Sequence, residues 1–263
     1  MKFSVLGASG FVGRELSLAL KNNGHTVLSP DRDETEVLTN KKSCHLGSVF
    51  YCIGMTANFR DQPIDTIEAH IGLLQRILEV CDFDQLTYLS STRVYHGGSS
   101  TNEEAGLHVN PNDPSDFYNI SKLMGESICL SSHKNTRVVR LSNIYGENSS
   151  ASFLNEIITE VKKKGEVVFR SSPNSSKDYV SIRDVTKLLP KIACYGKSRI
   201  YNVASGINTS NIEIADTLSK LGYSFSFEEN APTWKFENIN IGRIKDEFGF
   251  VPSRLLDELE SLI

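Results

Sequence analysis

The opening stretch KFSVLGASGFVGRELSLALKNNG places Gly7, Gly10 and Gly13 between an apolar run and an amphipathic one. KFSVLG (2–7) reads as a buried strand and FVGRELSLALKNNG (11–24) as a helix closed by Gly24. Strand, glycine turn and helix in that order build a cradle for a diphosphate. Glycine permits the tight turn, lets an anion approach the backbone and lets the helix pack closely on the strand. The first helical turn then offers free N–H groups and the positive end of its dipole. GASGFVG (7–13) is the candidate diphosphate loop; a merely tight loop is the alternative.

The alternation continues. HTVLSP (25–30), SVFYCI (48–53), QLTYLS (85–90) and TRVVRLS (136–142) read as strands. Residues 64–81 read as one long helix with Ile64, Ile67, Ile71, Leu74 and Leu78 on a stripe, and 115–133 as another helix. Buried strands alternating with helices predict an α/β fold, a Rossmann-type doubly wound parallel sheet with right-handed crossovers. After Gly146 the pattern loosens. Helices are expected at 152–165, 183–193 (interrupted by Pro190), 211–222 behind a Thr209 or Ser210 cap, and in the tail; strands are expected at 167–170, 178–182 and 199–205. SSPNSSKD (171–178) reads as a surface loop. The expected division is a dinucleotide-binding domain over 1–150, rejoined by 178–205, and a small C-terminal α/β substrate lobe over 151–263.

Composition excludes several classes. The 263 residues, 39% hydrophobic and 23% charged, suit a globular protein able to bury a full core. A net charge of −4 provides no basic field for nucleic acid or for a membrane surface. No apolar run approaches the ~18 residues that span a bilayer, and MKFSVLGASG is interrupted by glycine too soon for a secretory signal. Five cysteines without paired short spacings argue against a disulfide framework or a metal site, so a reduced, cytoplasmic protein is expected.

The end of the second strand is where a ribose would be read. Asp31 can accept from both ribose hydroxyls of NAD, whereas Arg32 beside it can clamp the 2′-phosphate of NADP; a solvated charged turn is the bland alternative. YLSSTRVYHG (88–97) leaves the fourth strand with serines at the crevice edge, or forms a hydroxyl-rich turn. FYNISKLMGE (117–126) then puts Tyr118 and Lys122 one helical turn apart on one face. A tyrosine near its ordinary pKa of ~10 is a poor base at neutral pH. A nearby lysine cation favours tyrosinate, lowers that pKa and can hold the cofactor ribose. A serine hydroxyl from strand four completes the set by binding the substrate oxygen as hydride moves.

The motifs GASGFVG, FYCIG, SSTRVYHG, YNISKLMGE, RLSNIYG, KDYVSIRDV and YNVASG, in that order, resemble the extended short-chain dehydrogenase/reductase superfamily in its NAD(P)-dependent nucleotide-sugar epimerase/dehydratase branch. The resemblance implies Ser91, Tyr118 and Lys122 as the catalytic set, Tyr118 as acid/base. It implies Gly7, Gly10, Phe11 and Val12, with Ser9 among them, as the diphosphate loop, Asp31 as the NAD-selecting acid, Cys52, Ile53 and Gly54 as the backbone facing the cofactor, and Asn143 as a sugar-nucleotide contact. There are departures. Only residues 31–47 separate strands two and three, where relatives usually fit another strand-helix unit. His70 replaces an asparagine of the long helix, as a satisfied helix-end residue or as part of a proton relay. Thr92 and Arg93 stand where sugar 4,6-dehydratases have Asp-Glu, which disfavours dehydration; Arg93 is a candidate for a substrate anion or for a structural ion pair. APTWKFEN (231–238) lacks the arginine with which many relatives grip the phosphates, leaving Lys177 and Arg183 as phosphate candidates; Trp234 is expected to fill core rather than stack on a base.

The leading expectation is an oxidoreductase or epimerase acting on a carbinol or ketone of a sugar nucleotide, with NAD favoured over NADP. A reductase of a small non-nucleotide carbonyl and a catalytically silent dinucleotide sensor or scaffold remain as alternatives. No nucleic-acid partner, membrane or metal is expected. The resemblance implies a homodimer formed through 64–81 and 115–133.

Overall fold

The computed structural model describes residues 1–40, 45–56, 58–147, 149 and 152–263. In chain order the elements begin β1 (Lys2–Leu6), α1 (Phe11–Asn22), β2 (Thr26–Leu28), α2 (Arg32–Asn40) and β3 (Ser48–Tyr51). There follow α3 (Pro63–Ile67), a π-helical turn (Glu68–Gly72), α4 (Leu73–Val80) and β4 (Gln85–Ser91). A 3₁₀ turn (Thr92–Tyr95) leads towards α5 (Asp116–Ser131), β5 (Thr136–Leu141) and β6 (Asn143–Tyr145). The remainder is α6 (Phe153–Lys164), β7 (Glu166–Phe169), β8 (Ser176–Ser181), α7 (Ile182–Tyr195), β9 (Ile200–Val203), β10 (Asn208–Ser210), α8 (Asn211–Lys220), β11 (Ser224–Phe227), α9 (Gly242–Phe248) and α10 (Leu255–Leu262).

The expected doubly wound sheet is present. Six strands run in the order β2-β1-β3-β4-β5-β9, all in parallel pairs. Strand order reverses between β1 and β3, so their carboxyl ends open a crevice of the kind that binds ligands in such sheets. The central strands β3 and β4 are buried on both faces, as inner parallel strands are, whereas the edge strand β2 is only partly covered. One face packs Leu16, Leu20, Val185, Leu189 and Ile244 against Phe3, Val139 and Val203. The other packs Leu74, Ile77 and Cys129 against Leu6, Tyr51 and Tyr88. A third cluster joins Leu154, Ile158, Phe169, Tyr179, Ile214, Leu218 and Leu259 around the small sheets β10-β8-β6 and β11-β7.

Several expectations need correction. The long helix runs unbroken from Pro63 to Val80 but contains a π turn, which adds a residue to one turn and shifts the apolar phase. Leu74 and Leu78 are therefore buried while Ile64 is 79% exposed. Pro190 does not interrupt α7, whose buried Leu188, Leu189 and Ile192 hold the helix on the sheet. The segment 171–178 is loop only as far as Ser175, because β8 starts at Ser176 and buries Asp178, which accepts from the N–H groups of Ser205, Gly206 and Ile207. Trp234 is not core but 49% exposed; what fixes its segment is backbone, Trp234 N–H donating to Ser175 Oγ and its carbonyl accepting from Ser176. The helix α2 and the strands β6, β10 and β11 add to what the pattern predicted. Among the described residues no disulfide forms, no cluster of His, Cys, Asp and Glu could hold a metal, and no helix is long and apolar enough to cross a membrane. Cys44 lies outside the described residues.

Candidate active site

The glycine turn sits at the carboxyl end of β1. Gly7 has φ +85°, and a Cβ on Gly13 would come 2.3 Å from the Gly7 carbonyl oxygen. Both glycines are therefore demanded by the fold itself. Gly10 is different: its backbone is ordinary extended chain, and a Cβ there would meet only the Gly7 carbonyl at 3.4 Å. Among the described residues nothing forbids a side chain at Gly10, so its bareness suits an external group approaching the backbone. The start of α1 has no side-chain cap and no acidic residue in its first turn. Its N–H groups are left for an anion, and the turn fits a dinucleotide diphosphate.

Beyond β2, Asp31 caps α2. Its Oδ1 accepts from Glu34 N–H at 2.8 Å, and Glu34 Oε2 accepts from Asp31 N–H at 3.0 Å. This reciprocal box was legible as Asp-x-x-Glu and explains why a helix occupies a stretch that reads as a charged turn. Arg32 opens the helix, exposed.

Cys52, Ile53 and Gly54 follow β3 along the crevice. Cys52 N–H donates to the Leu6 carbonyl at 2.9 Å, and burial pushes its thiol up to about 12, so it stays neutral. A Cβ on Gly54 would lie 3.1 Å from Lys122 Nζ and 3.2 Å from His70 Nε2, which brings helix α5 and the π turn together at this backbone. His70 is not at a helix end but wholly buried. Met55 N–H donates to its Nε2 at 3.1 Å, which assigns the hydrogen to Nδ1, 2.8 Å from Ser121 Oγ. Ser121 in turn donates to the Tyr118 carbonyl at 2.8 Å. Burial, and then the Lys122 charge, push His70 down to about 3. The ring is a neutral strut between strand three and the helix carrying Tyr118.

Ser91, at the end of β4, accepts from Arg93 N–H at 3.2 Å and caps the 3₁₀ turn. Tyr118 is buried beside it. Burial raises its pKa, while a hydrogen bond with Ser91 and the Arg93 charge work in the opposite direction. The expectation that Lys122 lowers this pKa is therefore corrected. Lys122 Nζ lies 6.0 Å from the Tyr118 ring centroid and donates to the Leu89 carbonyl at 3.1 Å. Burial brings that amine down to about 8.

The Arg93 charge is felt at Lys177: burial, and then Arg93, depress the pKa of Lys177, whose Nζ stands 4.8 Å from the Phe153 ring centroid. Asn143 is exposed at the start of β6 and donates to the Asp178 carbonyl at 2.9 Å. Arg183 lies apart, largely exposed, 3.8 Å from Glu147. Phe59, Arg60 and Ser121 had no sequence signal: Phe59 packs 5.4 Å from the Tyr118 ring centroid, and Arg60 lies 4.4 Å from that of Phe59.

A parallel sheet that aims a Tyr-x-x-x-Lys helix at a serine on its fourth strand defines the extended short-chain dehydrogenase/reductase class. The chain belongs to the NAD dependent epimerase/dehydratase family, whose model matches residues 3–204. GDP-mannose 3,5-epimerase 1 of Oryza sativa subsp. indica is 23% identical over 180 residues, 56% of this chain and 47% of that protein. Its counterpart in subsp. japonica is 25% identical over 179 residues, with the same shares. The chain thus spans about half the length of the curated relatives it matches. Among solved structures, MoeE5 in complex with UDP-glucuronic acid and NAD superposes with TM-score 0.80 at 18% identity, covering 99% of this chain and 97% of that one. UDP-glucuronic acid 4-epimerase from Bacillus cereus, in complex with UDP-glucuronic acid and NAD, gives 0.80 at 19%, covering 100% and 98%. RMD from Pseudomonas aeruginosa complexed with NADPH gives 0.80 at 21%, covering 98% and 96%. At these identities the likeness is one of fold.

His70 makes a pH prediction. The unfolded chain takes up a proton at this residue below its ordinary pKa of about 6.5, but the folded protein does so only near 3. The unfolded state binds more protons in between, so stability falls as pH falls through that window. At pH 4.5 the loss from this residue is about 2–3 kcal/mol. Urea unfolding at pH 7 and pH 4.5 should show the decline in wild type and a clearly smaller one in His70→Asn. Equal declines in both would refute the assignment.

Proposed function

We propose that the chain oxidises or reduces one carbinol of a nucleotide-activated sugar, as an epimerase or a ketoreductase, with NAD as the favoured cofactor. The observation that carries this reading is the placement of buried Tyr118 near Ser91 at the end of β4, with Lys122 Nζ 6.0 Å from its ring centroid and close to the Gly54 backbone. Residues 1–150 with 178–205 would hold the dinucleotide and 151–263 would wall the substrate. The diphosphate would rest on Gly7, Ser9, Gly10, Phe11 and Val12, with the adenosine ribose at Asp31 and Arg32 beside it. Nicotinamide supplies the hydride acceptor and donor. Ser91 holds the carbinol oxygen, and Tyr118 removes its proton on oxidation or returns it on reduction. Lys122, turned from Leu89 towards the ribose, then stabilises the phenolate. Asn143 and Lys177 orient the sugar nucleotide, and Arg93 contacts it beside Tyr118. Neither Thr92 nor Arg93 can serve as a carboxylic acid or carboxylate base, which disfavours dehydration.

Two experiments test this. Calorimetry should detect NADH binding to wild type and none to a folded Gly10→Val variant, and Tyr118→Phe should keep that binding while turnover falls on the order of 10²-fold or more. Full turnover by Tyr118→Phe would overturn the mechanism, and absence of NADH and NADPH binding to wild type would overturn the reading entirely. We also propose a homodimer through the faces of α3–α4 and α5, where Ile64, Ile67 and Met124 are exposed. Light scattering at micromolar concentration should give twice the 29.2 kDa chain mass; a monomer mass would contradict it.

A further inference from the structure

Arg93 is the least satisfied cation of the site. Its Nε is buried and has no hydrogen-bond partner among the described residues, and its Nη2 makes one long bond, 3.4 Å, to the Ser115 carbonyl. Among the described residues neither it, nor Arg60, nor Lys177 belongs to an ion pair. The nearest acids are committed elsewhere. Asp113 Oδ1 accepts from Ser115 N–H, and Asp116 accepts from Asn110 N–H and Asn119 Nδ2. Burial and Arg60 both weaken the hold of Arg93 on its proton, and Arg93 does the same to Lys177. A buried donor without an acceptor inside a cluster of like charge is costly, and a bound anion relieves both penalties.

Position decides which anion. The Arg93 backbone is bonded to Ser91 Oγ, and its guanidinium carbon lies 6.0 Å from the Tyr118 ring centroid. The group it meets is thus tied to the part of the sugar that reacts. The planar guanidinium fork matches a planar carboxylate, whereas the flexible ammonium of Lys177 suits a phosphate as a point charge.

We propose that Arg93 selects substrates whose reacting sugar bears a carboxylate on the ring carbon beside the reacting carbinol, that is, nucleotide-linked uronates in preference to neutral hexoses. This rests on the sugar-nucleotide reading above and narrows it.

The test is calorimetric titration of the NAD-loaded full chain with uridine, guanosine and thymidine diphosphate sugars, each as the hexose and as its uronate, and with the bare nucleoside diphosphates. Wild type should bind the uronate of its preferred nucleotide about tenfold or more tightly than the hexose, as a charge-assisted bidentate bond would give. Arg93→Gln should erase that ratio while leaving affinity for the bare diphosphate unchanged, and Arg93→Lys should restore part of it. Equal wild-type affinities, or a loss in Arg93→Gln shared by hexose, uronate and bare diphosphate alike, would overturn the proposal and leave the sugar-nucleotide reading standing. Failure of every sugar nucleotide to bind wild type would overturn both.

Discussion

The site depends on a buried ion pair that contacts no part of the crevice itself. Arg140 Nη2 donates to Glu126 Oε2 at 2.6 Å and its Nε to Oε1 at 3.0 Å, with both side chains 3% exposed. Ser90 donates to the same carboxylate at 2.6 Å, and Arg140 Nη1 donates to the Tyr95 hydroxyl, which donates to Asn202. One network therefore joins α5 to β4, β5 and β9. Removing one member of such a pair strands a charge in the interior, at a typical cost of about 3–5 kcal/mol. Glu126 lies one turn beyond Lys122 and two beyond Tyr118, so the pair fixes the rotation of the helix that presents both. Gly125 lets the helix come this close: a Cβ there would sit 2.4 Å from the Tyr88 hydroxyl and 2.9 Å from the His70 carbonyl.

Around this staple the electrostatics divide into two halves. On the side of β3 two groups are held neutral, His70 down at about 3 and Cys52 up at about 12, while Lys122 is brought down to about 8. On the side of β8 stand Arg93 and Lys177, which form no ion pair among the described residues. His70 is neutral, and the moderate pKa of Lys122 keeps that amine protonated near neutrality. Tyr118 stands at the boundary, where burial holds its proton and Ser91 with Arg93 ease its release.

Much of this was written in local sequence. The glycine turn, the alternating runs and the Tyr118–Lys122 spacing each report a backbone requirement within a few residues, and the parallel sheet follows from them. What escaped depends on contacts made at a distance. His70, inside the π turn, bonds both Met55 and Ser121, and no periodicity in residues 64–81 announces that turn. Lys122 was expected beside the Tyr118 hydroxyl, yet its amine is drawn to the Leu89 carbonyl, a partner from another strand. Phe59 and Arg60 lie in a loop with no pattern to read and enter the site only by packing. Trp234 looked like core because tryptophan usually is, but its segment is held by backbone bonds that leave the indole half exposed.

The most direct test of the account is a crystal structure of the protein with NADH. The diphosphate should lie on residues 7–13, the nicotinamide should face Tyr118 and Ser91, and Lys122 Nζ should have left the Leu89 carbonyl for the ribose hydroxyls. A dinucleotide bound away from the glycine turn, or a nicotinamide remote from Tyr118, would contradict it.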